Sequence, residues 1–142
     1  MPPSPDTLFQ IANPMALAGW MALVFYPLAP RALGLVAFAL PVALSVLYTA
    51  LVLTFWTGSE GGYGSLPDVM RLFDFPGMAL AGWVHYLAFD LAISLWIART
   101  ARAQGIAHWM ILPCLALTFL FGPAGFLSFL ILTLALRKGV PA

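Results

Sequence analysis

Charge is scarce in this sequence: its 142 residues carry six basic and five acidic side chains, 8% of the total, where an ordinary globular chain has about 25%. At the same time 63% of the residues are hydrophobic, more apolar surface than a soluble domain of this size can bury. Lipid is the solvent that suits such a chain. There is no basic run and no mixture of aromatic and basic residues that would line a groove, and the net charge is only +1, which excludes nucleic acid as a partner. Cysteine is nearly absent too. Cys114 stands alone in an apolar run, so the chain can form neither an internal disulfide nor a thiolate metal cluster, and Cys114 reads as a packing residue.

What is present is apolar length. Four stretches reach the roughly 20 residues that cross a bilayer: about Leu8 to Leu28, Ala32 to Trp56, Gly77 to Ala98 and Ile106 to Leu136. This predicts an all-α integral membrane protein, a four-transmembrane-helix bundle forming one domain over residues 1–142. The opening Met-Pro-Pro-Ser-Pro-Asp lacks the positive segment of a signal peptide, and Asp6 has the wrong sign, so the first span is expected to be retained. The links around Pro30 and around 99–105 are short, which favours antiparallel neighbours. The basic residues divide three against three, Arg31, Arg99 and Arg102 against Arg71, Arg137 and Lys138, so the positive-inside rule does not decide the orientation. Asp6, Glu60, Asp68 and Asp74 all fall opposite Arg31, which favours cytoplasmic short loops with both termini outside.

The one long connection, 57–76, holds a flexible GSEGGYG and then SLPDVMRLF. In the latter, Leu66, Val69, Met70 and Phe73 recur at helical spacing with Asp68, Arg71 and Asp74 opposite, the pattern of a helix lying on the membrane surface. The hexapeptide MALAGW occurs at 15–20 and again at 78–83. It marks either a duplicated helical hairpin or a coincidence of Ala-rich and Leu-rich composition. In both cases the small residues Ala16 with Gly19 and Ala79 with Gly82 would let the first and third helices approach closely. Prolines 27, 41, 113 and 123 each kink or end a helix, and GPAG at 122–125 should break the last span near its middle.

Within the spans the ionisable residues well away from the ends are His85 and Asp90, in GWVHYLAFD at 82–90. A mid-span aspartate costs about 2.5–3.5 kcal/mol on insertion, so such residues face the bundle interior or a wet cavity and mark a site. At about 100° per residue Asp90 shares a face with Trp83, Tyr86 and Ser94, while His85 lies about 140° away. A neutral acid and a neutral base in one cavity would suit general acid–base catalysis; the alternative is that both merely fasten helices together. Two histidines are too few for the clusters of membrane di-iron enzymes, and His85 and His108 sit at different depths, which argues against a bis-histidine haem. No metal and no cofactor is expected, with a chlorophyll-type magnesium on His85 as a minor alternative.

In GWVHYLAFD, in SLPDVMRLF upstream and in PCLALTFLFGPAGFL at 113–127, the chain resembles the abscisic acid-deficient four family of small membrane proteins, over about Phe9 to Leu136. The resemblance implies carotenoid or isoprenoid chemistry, since in plants the family is implicated in neoxanthin formation, the opening of a violaxanthin epoxide to an allene. That is a net isomerisation with no redox cofactor. By this analogy Asp90 and His85 would act as acid and base, with Trp83, Tyr86, Asn13, Trp20 and Ser94 binding substrate. The partners expected are a carotenoid or lipid ligand and the surrounding lipids, with a homo-oligomer left open, and the expected location is a bacterial inner membrane. The competing expectation is a non-catalytic carotenoid- or lipid-binding subunit.

Overall fold

The structure, a computed structural model, describes residues 4–138; the Met-Pro-Pro opening lies outside the described residues. Proline sets where most helices begin. It is the first residue of α1 (Pro5–Val24), α2 (Pro30–Phe55), α4 (Pro76–Ala103) and α6 (Pro123–Lys138), and the second of α3 (Leu66–Asp74). A first-turn proline gives up an N–H that has no helical partner anyway, and its φ is already helical. Ser4 and Ser65 cap α1 and α3 by accepting from the backbone N–H groups of Thr7 (3.2 Å) and Asp68 (3.3 Å). The remaining helix is α5 (His108–Phe121), and no strand occurs among the described residues.

Helices α1, α2 and α4 are long and apolar enough to cross a membrane, and they correspond to the first three expected spans. α4 is the axis of the molecule, packing against each of the other five helices. α1 runs parallel to it and α2 antiparallel: Gly19 of α1 gives way to the Leu91 side chain of α4, and Phe55 at the end of α2 covers Gly77 at the start of α4. Because lipid is as apolar as leucine, such close approach at small residues is what holds membrane helices together. Gly82, however, lies under Phe73 of α3 and not against α1. α3 is a helix as expected and is amphipathic, with Leu66, Met70 and Phe73 exposed along one side and an Asp68–Arg71 ion pair at 3.8 Å.

The expected fourth span is corrected. Residues 106–136 do not form one crossing helix. α5 and α6, of 14 and 16 residues, are each about 21–24 Å long at 1.5 Å per residue, short of the roughly 30 Å hydrocarbon core. At their junction Gly122 adopts φ +28, Pro123 cannot continue the hydrogen-bond ladder, and Gly125 sits so close to the Thr118 backbone that a Cβ there would collide with it. The chain therefore turns back on itself. The contacts along α4 give the direction. Gly122 meets Asp90, whereas Phe126 and Phe129 meet Trp96, with ring centroids 5.7 and 5.6 Å apart. Since Trp96 lies nearer the 99–105 loop than Asp90 does, α6 returns toward the face that α5 left. Three helices of crossing length plus a helical hairpin whose second arm runs back beside the first take the place of the expected four-helix bundle.

The return of α6 bears on two further expectations. The two copies of MALAGW stand on parallel helices, but their halves differ downstream: the first copy leads into a single 26-residue helix and the second into the folded-back pair. The expectation of both termini on one face is also corrected, because α1 begins on the face of α3 and α6 ends on the face of Arg31.

Candidate functional site

The hairpin tip lies near mid-depth, where backbone groups have no water to satisfy them and need partners from the protein. α4 turns one stripe toward it, Trp83, Tyr86, Asp90 and Ser94, spaced three and four residues apart, and of these Tyr86 bonds a backbone group of the hairpin. The Tyr86 hydroxyl donates to the Phe119 carbonyl at 3.0 Å, one of the last-turn carbonyls of α5 that helical geometry leaves open. One turn further on, the Asp90 carboxyl lies flat against Gly122: a Cβ on that glycine would be 2.5 Å from Oδ1 and 2.9 Å from Oδ2. It thus faces the first turn of α6, the positive end of that helix. Asp90 Oδ2 and Ser94 Oγ are both buried and have no hydrogen-bond partner.

Above this tip the same stripe borders a cavity of about 530 Å³, lined by Asn13, Ala16 and Leu17 of α1, Trp83, Tyr86 and Leu87 of α4, and Phe119 and Leu120 of α5. Its polar groups are few and directed. The Trp83 indole N–H donates to Asn13 Oδ1 at 2.8 Å, which ties α1 to α4 and leaves the Asn13 amide N–H groups for the cavity. The Trp83 and Tyr86 rings lie 5.5 Å apart. Leu17 and Phe119 also line a second, apolar cavity of about 270 Å³ between α1 and α5, with Trp20, Val24 and Leu112. The two adjoin at Leu17 and Phe119, and together this slot follows α1 for about 16 Å from Asn13 to Val24 at 1.5 Å per residue. The slot opens sideways, because Leu17 and Phe119 are 50% and 43% exposed on a surface that lipid would cover. Trp20 stands edge-on to Phe119 at 5.4 Å.

Trp83 and Tyr86 therefore meet Asn13 around the larger cavity and Trp20 lines the smaller one beside it, while Asp90 lies one turn away against Gly122 and Ser94 is buried below the tip. His85 does not join them. It lines a different cavity, about 260 Å³, with Tyr48, Tyr63, Phe73 and Gly82 between α2, α3 and α4. Its ring stacks on Phe89 at 4.6 Å and leans on Tyr48 at 5.3 Å. His108 is elsewhere again, with Nε2 3.1 Å from the Val24 carbonyl at the base of α5. Sequence reasoning missed Phe119 and Gly122. Both act through backbone, and GPAG was the available signal.

Chemically, the arrangement offers a phenolic O–H at the wall of an apolar slot, a carboxyl group behind it on the next turn, and an indole–amide pair at the slot's other edge. Such a set can donate hydrogen bonds or a proton to an oxygen function held against an apolar wall. The family model described as ABA DEFICIENT 4-like matches residues 7–129, a stretch that contains every residue of the slot and its tip. No curated protein and no solved structure was found to match the chain. With most of its length matched, from the start of α1 into α6, the chain belongs to the ABA DEFICIENT 4-like family.

Proposed function

We propose that the protein is a membrane-embedded isomerase of a carotenoid or related isoprenoid, working by acid–base chemistry without a redox cofactor. One observation carries this reading: Tyr86, whose hydroxyl sits on the Phe119 carbonyl, lines a cavity that is lipid-open and apolar and adjoins a second one along α1, with the Asp90 carboxyl on the next turn of the same helix. A linear isoprenoid could enter sideways, lay its chain along α1 and α5, and bring an oxygenated end group to Tyr86, Trp83 and Asn13. In an epoxide-to-allene isomerisation Tyr86 turns its hydroxyl from the Phe119 carbonyl and donates its proton to the epoxide oxygen as the C–O bond opens. Asp90, as carboxylate, takes the proton from the neighbouring carbon, and its transfer to the tyrosinate restores both groups. Atoms balance and no electrons enter. His85 has no part in this scheme, since it opens to the other side of α4. The proposal includes a bacterial inner membrane as the location, which membrane fractionation checks.

A second reading has its own observation. Tyr86 caps a broken helix and Asp90 faces the turn of the hairpin, so both residues could serve the fold alone, in a non-catalytic carotenoid- or lipid-binding subunit. Expression in a carotenoid-producing host separates the two. Catalysis predicts a new pigment isomer that disappears in Asp90→Asn and Tyr86→Phe while both variants remain folded in detergent. Unaltered pigment that co-purifies equally with wild type and variants would support the binding subunit, and no pigment in any of them would remove both readings.

A further inference from the structure

The folded-back hairpin redistributes charge. Because α6 returns, residues 137 and 138 end on the face of Arg31, Arg99 and Arg102, and five of the six basic residues of the chain gather there by backbone position. The opposite face keeps Arg71, paired with Asp68, together with Asp6, Glu60 and Asp74. The tie that made the positive-inside rule silent becomes five against one, and the basic face is the one that meets the cytoplasmic leaflet, whose anionic lipids attract such clusters.

On that side of the molecule α2 and α4 border a groove of about 330 Å³, lined by Phe38, Val42 and Ser45 of α2 and Ala92, Trp96 and Arg99 of α4, within the range of small-ligand pockets. Its polarity is graded. Arg99 stands about one turn from the end of α4, at the mouth, with its guanidinium 5.9 Å from the Phe38 ring centroid. Among the described residues no carboxylate lies within ion-pair distance of it. From there the groove runs inward about 10 Å at 1.5 Å per residue between apolar side chains to Ala92 and Ser45. The Ser45 hydroxyl is already engaged with the Pro41 carbonyl at 2.8 Å, so it makes no demand on an occupant. This groove lies on the opposite side of α4 from the slot at Tyr86, and none of its residues belongs to that slot.

We infer that this groove is a binding site for one anionic phospholipid of the cytoplasmic leaflet, its phosphate at Arg99 and an acyl chain between α2 and α4. A planar guanidinium without an acidic partner suits a phosphate, and an apolar channel continuing inward from it suits an acyl chain. A free phosphate would leave that channel unfilled, and a zwitterionic lipid would bring a second cation to a face already crowded with them. The site stands apart from the proposed isomerase chemistry and does not depend on it.

Native mass spectrometry of the full chain, released from mild detergent micelles after titration with phosphatidylglycerol, phosphatidylcholine or inorganic phosphate, tests the site. The expected result is one phosphatidylglycerol retained at least tenfold more tightly than phosphatidylcholine, with no competition from millimolar phosphate. Arg99→Gln should bring the two lipids within about twofold of each other, while Arg71→Gln on the opposite face changes nothing. Ala92→Leu, which fills the groove and leaves the charge, should weaken both lipids. Equal retention of the two lipids by the wild-type chain overturns the inference without any variant having to fold. Displacement by phosphate overturns it in favour of a plain anion site, and an unchanged preference in Arg99→Gln removes the residue on which it rests.

Discussion

Two apolar runs of similar composition meet different fates in this protein. Residues 30–55 carry Pro41 near their middle and remain one helix, α2; residues 106–136 carry Pro123 near theirs and fold into α5 and α6. Proline alone is therefore not the cause. In α2 the residue before proline is leucine, and the Ser45 hydroxyl bonds the Pro41 carbonyl within the helix. In the hairpin the residue before proline is Gly122 at positive φ, Gly125 permits contact with Thr118, and α4 offers the Tyr86 hydroxyl to the Phe119 carbonyl. A mid-membrane turn persists where glycine admits the backbone conformation and a neighbouring helix supplies the polar partners. Hydropathy is blind to both conditions.

The comparison can be broken most directly at Gly125. Gly125→Leu should drive α6 off the Thr118 backbone and abolish the hairpin, read as loss of monodisperse protein in detergent, with a cost at or beyond the roughly 1–3 kcal/mol of overpacking a tight contact. Gly122→Ala is next. A residue with a Cβ at φ +28 and against the Asp90 carboxyl should lose about 1–3 kcal/mol in thermal or denaturant unfolding. Tyr86→Phe strands the Phe119 carbonyl and should cost about 0.6–1.7 kcal/mol, the range measured for hydrogen bonds between membrane helices. Trp83→Phe, which removes the bond to Asn13 but leaves a ring in place, should fall at the lower end, near 0.6 kcal/mol. Ser45→Ala in α2 should be the smallest, within about 0.5 kcal/mol, because a continuous helix does not depend on that hydroxyl. A large effect of Ser45→Ala together with a negligible one of Gly122→Ala would reverse the contrast between the two runs.

The sequence was legible where length and period decide. The three helices of crossing length followed from apolar length, α3 from the spacing of Leu66, Met70 and Phe73 against Asp68 and Arg71, and the break from GPAG. The return of α6 was not legible, because a broken span that continues and one that turns back have the same hydropathy; φ at Gly122 and the absence of a Cβ at Gly125 choose between them. The site shows the same division. Helical spacing put Trp83, Tyr86, Asp90 and Ser94 on one face and His85 about 140° away, and the structure has His85 in a separate cavity. Asn13 was named as a candidate, but its bond to Trp83 crosses 70 positions and no spacing announces it. Phe119 contributes a carbonyl and Gly122 an absence of side chain, so neither carries a chemical signature in one-letter code.

The measurement that tests the folded-back hairpin most directly is the sidedness of three single cysteines, Glu60→Cys, Gln104→Cys and Leu136→Cys, each in a Cys114→Ser background and labelled in intact and inverted membrane vesicles with an impermeant maleimide. The account predicts that positions 104 and 136 react from one side and position 60 from the other. Labelling of 136 together with 60, and apart from 104, would mean that residues 106–136 cross the bilayer, and the turn at Gly122, the partners it takes from α4 and the gathering of basic residues on one face would all have to be abandoned.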